Sequence, residues 1–227
     1  MTGGGQQRKP KYATVVLDID STLSGIEGID WLAELRSEKT AALVRRLTRD
    51  AMNGKVVLEE VYAQRLSLLA PTRADVVALA DVYRTHVAAR ARNTVGTLTR
   101  AGVRVVALSG GIRDAVLPLC RDVGIADEDV HAVVVTFDAK GAFAGFDATS
   151  PLTTHDGKPA VLRSLSLPRL ILSVGDGATD AAMKTAGAAD AFAAFTGFVR
   201  REPVVSAADH LIATFDELLA LVLPSTD

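Results

Sequence analysis

The first apolar run, Tyr12-Ala-Thr-Val-Val-Leu17, is short and rich in β-branched residues, the pattern of a strand buried on both faces in a parallel sheet. For roughly eighty residues after it the period is helical, and no second strand is expected before Val103. From Thr72 to Arg92, for example, Val76, Ala80, Tyr83 and Val87 recur at helical spacing, with Arg73, Asp75, Asp81, Arg84 and Arg90 largely between them. Alternation then resumes. Arg104–Leu108 predicts a strand, Ile112–Val123 a helix, His131–Thr136 a strand and Gly141–Gly145 a small hairpin arm. Lys158–Leu165 reads as a helix, Leu170–Val174 as a buried strand, Thr179–Ala186 as a helix, and Ala189–Phe195 and His210–Ala213 as short outer strands. Thr214-Phe-Asp-Glu217 has capping-box spacing ahead of a closing helix.

This succession predicts an α/β fold: a doubly wound parallel sheet with helices on both faces and a helical domain inserted after the first strand. The expected divisions are a core of 11–24 and 85–227, an insertion of 25–84 and a disordered leader of 1–10. The leader, MTGGGQQRKP, is polar and glycine-rich, unlike a signal peptide. No stretch approaches the ~18 apolar residues of a membrane span, so a cytoplasmic location is the default expectation. At 227 residues there is room for one substantial core with a modest insertion. With 25 basic and 27 acidic residues and no sustained run of one sign, nucleic-acid and membrane-surface binding are not expected. A single cysteine, Cys120, excludes an intrachain disulfide and is expected in the core.

Candidate chemistry gathers where predicted strands end. Asp18 and Asp20 follow the first strand, and residues two apart on an extended chain point to the same side, so both acids can face one crevice at the carboxyl edge of the sheet. The plainer alternative makes Asp20 or Ser21 a helix N-cap. Ser109-Gly110-Gly111 lies between a strand and a helix, where backbone amides can approach an anion closely, although Gly-Gly also makes an ordinary turn. In Gly175-Asp176-Gly177-Ala178-Thr179-Asp180 two acids stand at a glycine-rich strand end. That set suits Mg²⁺, or else a turn followed by a helix-start acid. Lys158 opposes the dipole of the helix it begins, a mild misfit that points to function, with a solvated surface lysine as the alternative. The histidines have no zinc-helix spacing, and Trp31 and Met52 sit in helical contexts that suggest core.

Taken together, Asp18-Ile-Asp20-Ser-Thr-Leu23, Ser109-Gly-Gly111, Lys158 and Gly175-Asp176-Gly-Ala-Thr-Asp180 resemble the four motifs of the haloacid dehalogenase (HAD) superfamily. Glu27-Gly-Ile-Asp30, Ala51-Met52-Asn-Gly54, Gln64-Arg65-Leu66 and Ala144-Gly-Phe-Asp147 extend the resemblance to its phosphoserine phosphatases, over roughly Val15 to Leu219.

The resemblance implies a HAD-like core with a cap, and hydrolysis of O-phospho-L-serine, the last step of serine biosynthesis. Asp18 would be the nucleophile and Asp20 the general acid and base. Mg²⁺ would be held by Asp18, Asp176 and the main-chain carbonyl of Asp20, with Asp180 supporting the metal or Lys158. Ser109, Gly110 and Lys158 would bind phosphate, and Glu27, Met52, Arg65 and Thr179 the rest of the substrate, Glu27 taking its ammonium and Arg65 its carboxylate.

Leu58, where the family often has phenylalanine, and Pro159 after the lysine depart from the pattern. A monomer or homodimer is expected. The alternatives are a HAD phosphatase or phosphotransferase for another small phosphomonoester, or a phospho-accepting receiver, which the insertion and Asp20 disfavour.

Overall fold

The computed structural model describes residues 9–52 and 58–223, without the side chains of 48–60. The expected leader falls, up to residue 8, outside the described residues. Eight strands follow in order: β1 (Thr14–Leu17), β2 (Arg104–Ile112), β3 (Val130–Val133), β4 (Val135–Phe137), β5 (Phe143–Phe146), β6 (Ile171–Gly175), β7 (Ala191–Phe195) and β8 (His210–Ile212). Six form one parallel sheet ordered β3-β2-β1-β6-β7-β8, while β4 and β5 pair antiparallel as a separate arm. The strand order reverses at β1, which pairs with β2 on one side and β6 on the other. Such a reversal opens a crevice beyond the strand ends. Val15, Val16 and Leu17 are fully buried, each burial contributing roughly 1.5–3 kcal/mol, and this places the loop after Leu17 over that crevice.

Between β1 and β2 stand α1 (Gly28–Glu34), α2 (Glu38–Met52), α3 (Leu58–Leu69), α4 (Arg73–Thr85) and α5 (Ala91–Arg100). The two ends of the segment carrying α1 to α4 meet at a bridge between Ser24 and Val87, flanked by backbone bonds from Gly25 N–H to the His86 carbonyl (3.0 Å) and from Ala88 N–H to the Leu23 carbonyl (2.9 Å). Insertion is thereby compatible with an unbroken core. The remaining helices are α6 (Arg113–Val123), α7 (Gly157–Ser164), α8 (Ala178–Thr185), α9 (Glu202–Ser206) and α10 (Phe215–Val222). The closing helix has its expected capping box, Thr214 Oγ1 accepting from Glu217 N–H at 3.1 Å. Cys120 is buried on α6, and burial pushes its thiol up to about 12.

Three local expectations need correction, and one helix was not anticipated. The helical stretch from Thr72 to Arg92 is two helices, because α4 ends at Thr85 and Val87 is drawn into the bridge with Ser24. The strand expected over His131–Thr136 divides at Val134: β3 stays in the sheet, whereas β4 leaves it to pair with β5. β2 does not stop at Leu108. It continues through Ser109-Gly110-Gly111 with a register shift, so these residues extend a strand instead of forming a separate turn. The short helix α9 has no counterpart in the sequence reading. Among the described residues, no helix is long and apolar enough to cross a membrane.

Candidate active site

β1 and β6 are neighbours in register, Leu17 opposite Val174, so Asp18 emerges beside Gly175-Asp176. The Asp18 amide donates to the Val174 carbonyl at 2.9 Å and fixes that junction. Lys158, second residue of α7, reaches between two acids: its Nζ lies 2.6 Å from Asp18 Oδ1 and 2.7 Å from Asp180 Oδ1. The three side chains are 8%, 9% and 0% exposed for Lys158, Asp18 and Asp180. Burial alone would lower the lysine's affinity for its proton, but the two carboxylates outweigh it and raise that affinity. The helix-start lysine is therefore an ion-paired core residue and not a solvated one. Pro159 falls in the first turn of α7, where a missing N–H removes no helical bond.

Asp180 is placed by a close approach. A Cβ on Gly175 would lie 2.2 Å from the Asp180 Cγ, so only glycine at the end of β6 admits this carboxyl. Its other oxygen accepts from the Gly177 N–H at 3.0 Å. Carboxylate oxygens of Asp18, Asp176 and Asp180 come within 4.8 Å of one another, an all-oxygen, buried set that fits a hard divalent cation. Burial, and then the Asp18 charge, raise the Asp176 carboxyl to about 6. The same two causes raise Asp180, against the pull of Lys158. Such acids favour a bound cation, which would relieve their mutual repulsion.

Asp20 is partly buried, its carboxyl pushed up to about 6 by burial first and by Asp18 second. One oxygen, Oδ1, accepts from both the Gly28 N–H (2.8 Å) and the Tyr83 hydroxyl (2.6 Å). The N-cap alternative for Asp20 survives only in part, since it does bond an amide at the start of α1, yet α1 has Glu27 as its N-cap residue. Ser21 adopts a left-handed backbone, φ 51°, uncommon for a non-glycine residue, and its hydroxyl donates to Glu27 Oε1 at 2.7 Å. Near the end of β2, Ser109 is buried and its Oγ accepts the Gly111 N–H at 2.9 Å, leaving the hydroxyl proton free to donate. The Gly110 carbonyl accepts from the Tyr62 hydroxyl at 2.9 Å, a direct link from α3 to the core.

Glu27 keeps 44% of its side chain exposed, and partial burial followed by Asp20 lifts its carboxyl to about 7. The Arg65 guanidinium lies over the Tyr62 ring, 5.8 Å from its centroid, and burial lowers its affinity for a proton although Asp30, Glu27 and Asp20 oppose the shift. Thr179 is half-buried in the first turn of α8. Met52 ends α2, and its side chain, like that of Leu58 at the start of α3, lies outside the described residues.

Three site neighbours escaped the sequence reading. Tyr62 and Tyr83 recur at helical spacing and pass for core. Arg201 precedes α9, yet its Nε lies 3.0 Å from Asp176 Oδ2 and its Nη2 3.3 Å from Glu27 Oε1. One cation thus joins the acids of the core to the acid at the start of α1. Nothing in the run Val199-Arg200-Arg201-Glu202 marks which arginine turns inward.

A strand-end aspartate gripped by a buried lysine, a second acid two residues on and an acidic pair on the adjoining strand define an α/β phosphohydrolase of the HAD type. A scan against models of known protein families matches none. The chain is, however, 37% identical over 208 residues to the phosphoserine phosphatase of Bos taurus, covering 90% of this chain and 91% of that one. It is 35% identical over 224 residues to the phosphoserine phosphatase of Homo sapiens, covering 96% and 98%. Similarity of this extent makes the chain a member of the phosphoserine phosphatase family. The fold agrees: a phosphoserine phosphohydrolase-like protein from Francisella tularensis superposes with a TM-score of 0.79 at 22% identity, covering 92% of this chain and 98% of that one.

Proposed function

We propose that this chain hydrolyses O-phosphoserine to serine and inorganic phosphate through a phosphoaspartate on Asp18. The observation that carries the reading is the Asp18–Lys158–Asp180 arrangement, which holds one carboxylate at the crevice with a cation already beside it. A carboxylate oxygen of Asp18 attacks phosphorus while the bond from phosphorus to the serine oxygen breaks and Asp20 delivers a proton to that oxygen. Asp20, now ionised, takes a proton from water as the water oxygen attacks phosphorus. The bond to Asp18 then breaks, and both acids return to their starting states. Lys158, the Ser109 hydroxyl and the Gly110 amide hold the phosphoryl oxygens. A cation such as Mg²⁺, held by Asp18, Asp176 and the Asp20 carbonyl with Asp180 alongside, would neutralise the repulsion between carboxylate and phosphate.

Residues 25–84 act as the cap that selects the substrate. Glu27 receives the ammonium group, with Ser21 and Arg201 fixing its carboxylate. Arg65 receives the substrate carboxylate, and Met52 and Thr179 complete the enclosure. The test is Arg65→Ala assayed on two esters. Loss of a charge-assisted, bidentate contact worth about 1.5–3 kcal/mol predicts a roughly 10- to 150-fold lower kcat/KM for phosphoserine. p-Nitrophenyl phosphate has no carboxylate to lose and should change far less. Equal losses on both esters, or a wild type that prefers the artificial one, would remove phosphoserine as the substrate while leaving a phosphatase.

A further inference from the structure

The Tyr83 hydroxyl is buried deep inside the molecule, at the last turns of α4, and Tyr83 is not among the residues the resemblance singled out. Its side chain is 0% exposed, and its acceptor is Asp20 Oδ1 at 2.6 Å. A phenylalanine would fill the same core volume without a hydroxyl to desolvate, so the oxygen is accounted for only by what it bonds.

The surroundings are built to deliver it there. A Cβ on Gly28 would lie 2.1 Å from the Tyr83 hydroxyl oxygen, so any larger residue at the start of α1 would displace the hydroxyl. Gly28 also supplies the second donor to the same Asp20 oxygen, at 2.8 Å. The end of α4 is tied to the loop after β1 by Ser24, whose hydroxyl donates to the Tyr83 carbonyl at 3.0 Å and the His86 carbonyl at 3.2 Å. At the other end of the helix, the Thr72–Asp75 capping box fixes the first turn.

With two donors on Oδ1, the Asp20 carboxyl cannot rotate freely, and Oδ2 is the oxygen left to work. It faces the Ser109–Gly111 segment proposed above to hold the phosphoryl group: a Cβ on Gly111 would stand 3.5 Å from it.

We propose that Tyr83 is a positioning residue for proton transfer, holding Asp20 through Oδ1 so that Oδ2 is presented to the leaving serine oxygen and then to water. The proposal rests on the acid–base reading of Asp20 given above and assigns Tyr83 no contact with substrate.

The decisive experiment compares Tyr83→Phe, Gly28→Ala and Asp20→Asn with wild type, in the full chain with a divalent cation, on phosphoserine and p-nitrophenyl phosphate. Since kcat/KM reports the steps up to formation of the phosphoenzyme, an ester whose leaving group departs without a proton should be insensitive to a misplaced acid. Tyr83→Phe is expected to lower kcat for phosphoserine on the order of 10-fold, part of the ~10²–10⁴ supplied by general acid–base catalysis, with KM held. Its kcat/KM for p-nitrophenyl phosphate should stay close to that of wild type. Gly28→Ala, which displaces the hydroxyl by a different route, should reproduce this selective loss. If both variants slow the two esters equally, or slow neither, the positioning role is overturned. Asp20→Asn separates the two readings: a selective loss there without one in Tyr83→Phe removes only the tyrosine, whereas no selective loss in Asp20→Asn removes the acid–base assignment itself.

Discussion

Replacing Lys158 by alanine withdraws the ammonium that bridges Asp18 and Asp180. These carboxylates are 9% and 0% exposed and accept from Lys158 at 2.6 and 2.7 Å, so neither can turn to bulk water when the ammonium is gone. Removing one partner of a buried ion pair costs about 3–5 kcal/mol, because the other charge stays desolvated and uncompensated. For a chain of this length each kcal/mol shifts Tm by roughly 2–4 °C, so Lys158→Ala should melt about 6–20 °C below wild type in the presence of a chelator. Lys158→Met keeps an apolar stem in the buried space. A loss common to both variants is therefore electrostatic and not a cavity effect. The assay is thermal unfolding followed by far-ultraviolet circular dichroism, with chelator and with a saturating divalent cation. Because the cation binds the folded acids, it should raise the Tm of either variant more than that of wild type, where the ammonium already offsets part of their charge. Melting of Lys158→Ala within about 2 °C of wild type in chelator would refute the argument, since the buried acids would then not depend on the lysine.

Gly175→Ala would drive a Cβ to within 2.2 Å of the Asp180 Cγ, so the acid must leave its place. The expected outcome is a loss of about 1–3 kcal/mol from overpacking together with weaker divalent-cation binding by calorimetric titration, and unchanged binding would show that Asp180 is dispensable there. Asp75 accepts from Arg36 at 2.6 Å and from the Thr72 N–H at 2.9 Å; partial burial opposes these contacts, but they hold its carboxyl below the usual range. A depressed folded value stabilises the protein above the unfolded value of about 4 and ceases to do so as pH falls through the folded one. Asp75→Asn should therefore cost about 1–2 kcal/mol near neutrality, and urea titrations should show the gap between variant and wild type closing only in acid below about pH 4.

The grouping of Asp18, Asp20, Lys158 and the acidic pair Asp176 and Asp180 was legible because each follows a buried strand or opens a helix, and strand ends of a parallel sheet converge. Asp18, Asp20, Asp176 and Asp180 needed only the run of apolar residues before them to be placed on one edge. The capping box at Thr214 was legible for a similar reason: it is local, and the chain around it is enough to form it. Tertiary structure decided what local patterning cannot carry. Valine is as suitable for a sheet as for an arm, so the run His131–Thr136 could not announce that its second half would leave β2 for β5. Helical spacing in α4 marks Tyr83 as buried but does not say that its hydroxyl ends 2.6 Å from Asp20, sixty-three residues away. That contact exists because the bridge between Ser24 and Val87 brings both ends of the insertion together. Arg201, likewise, differs from Arg200 only in which way the chain turns before α9, and that turn sets it against Asp176 and Glu27. Periodicity and strand-end chemistry are short-range properties of the chain, whereas the partner of a buried polar atom is fixed by distances that only the packed chain defines.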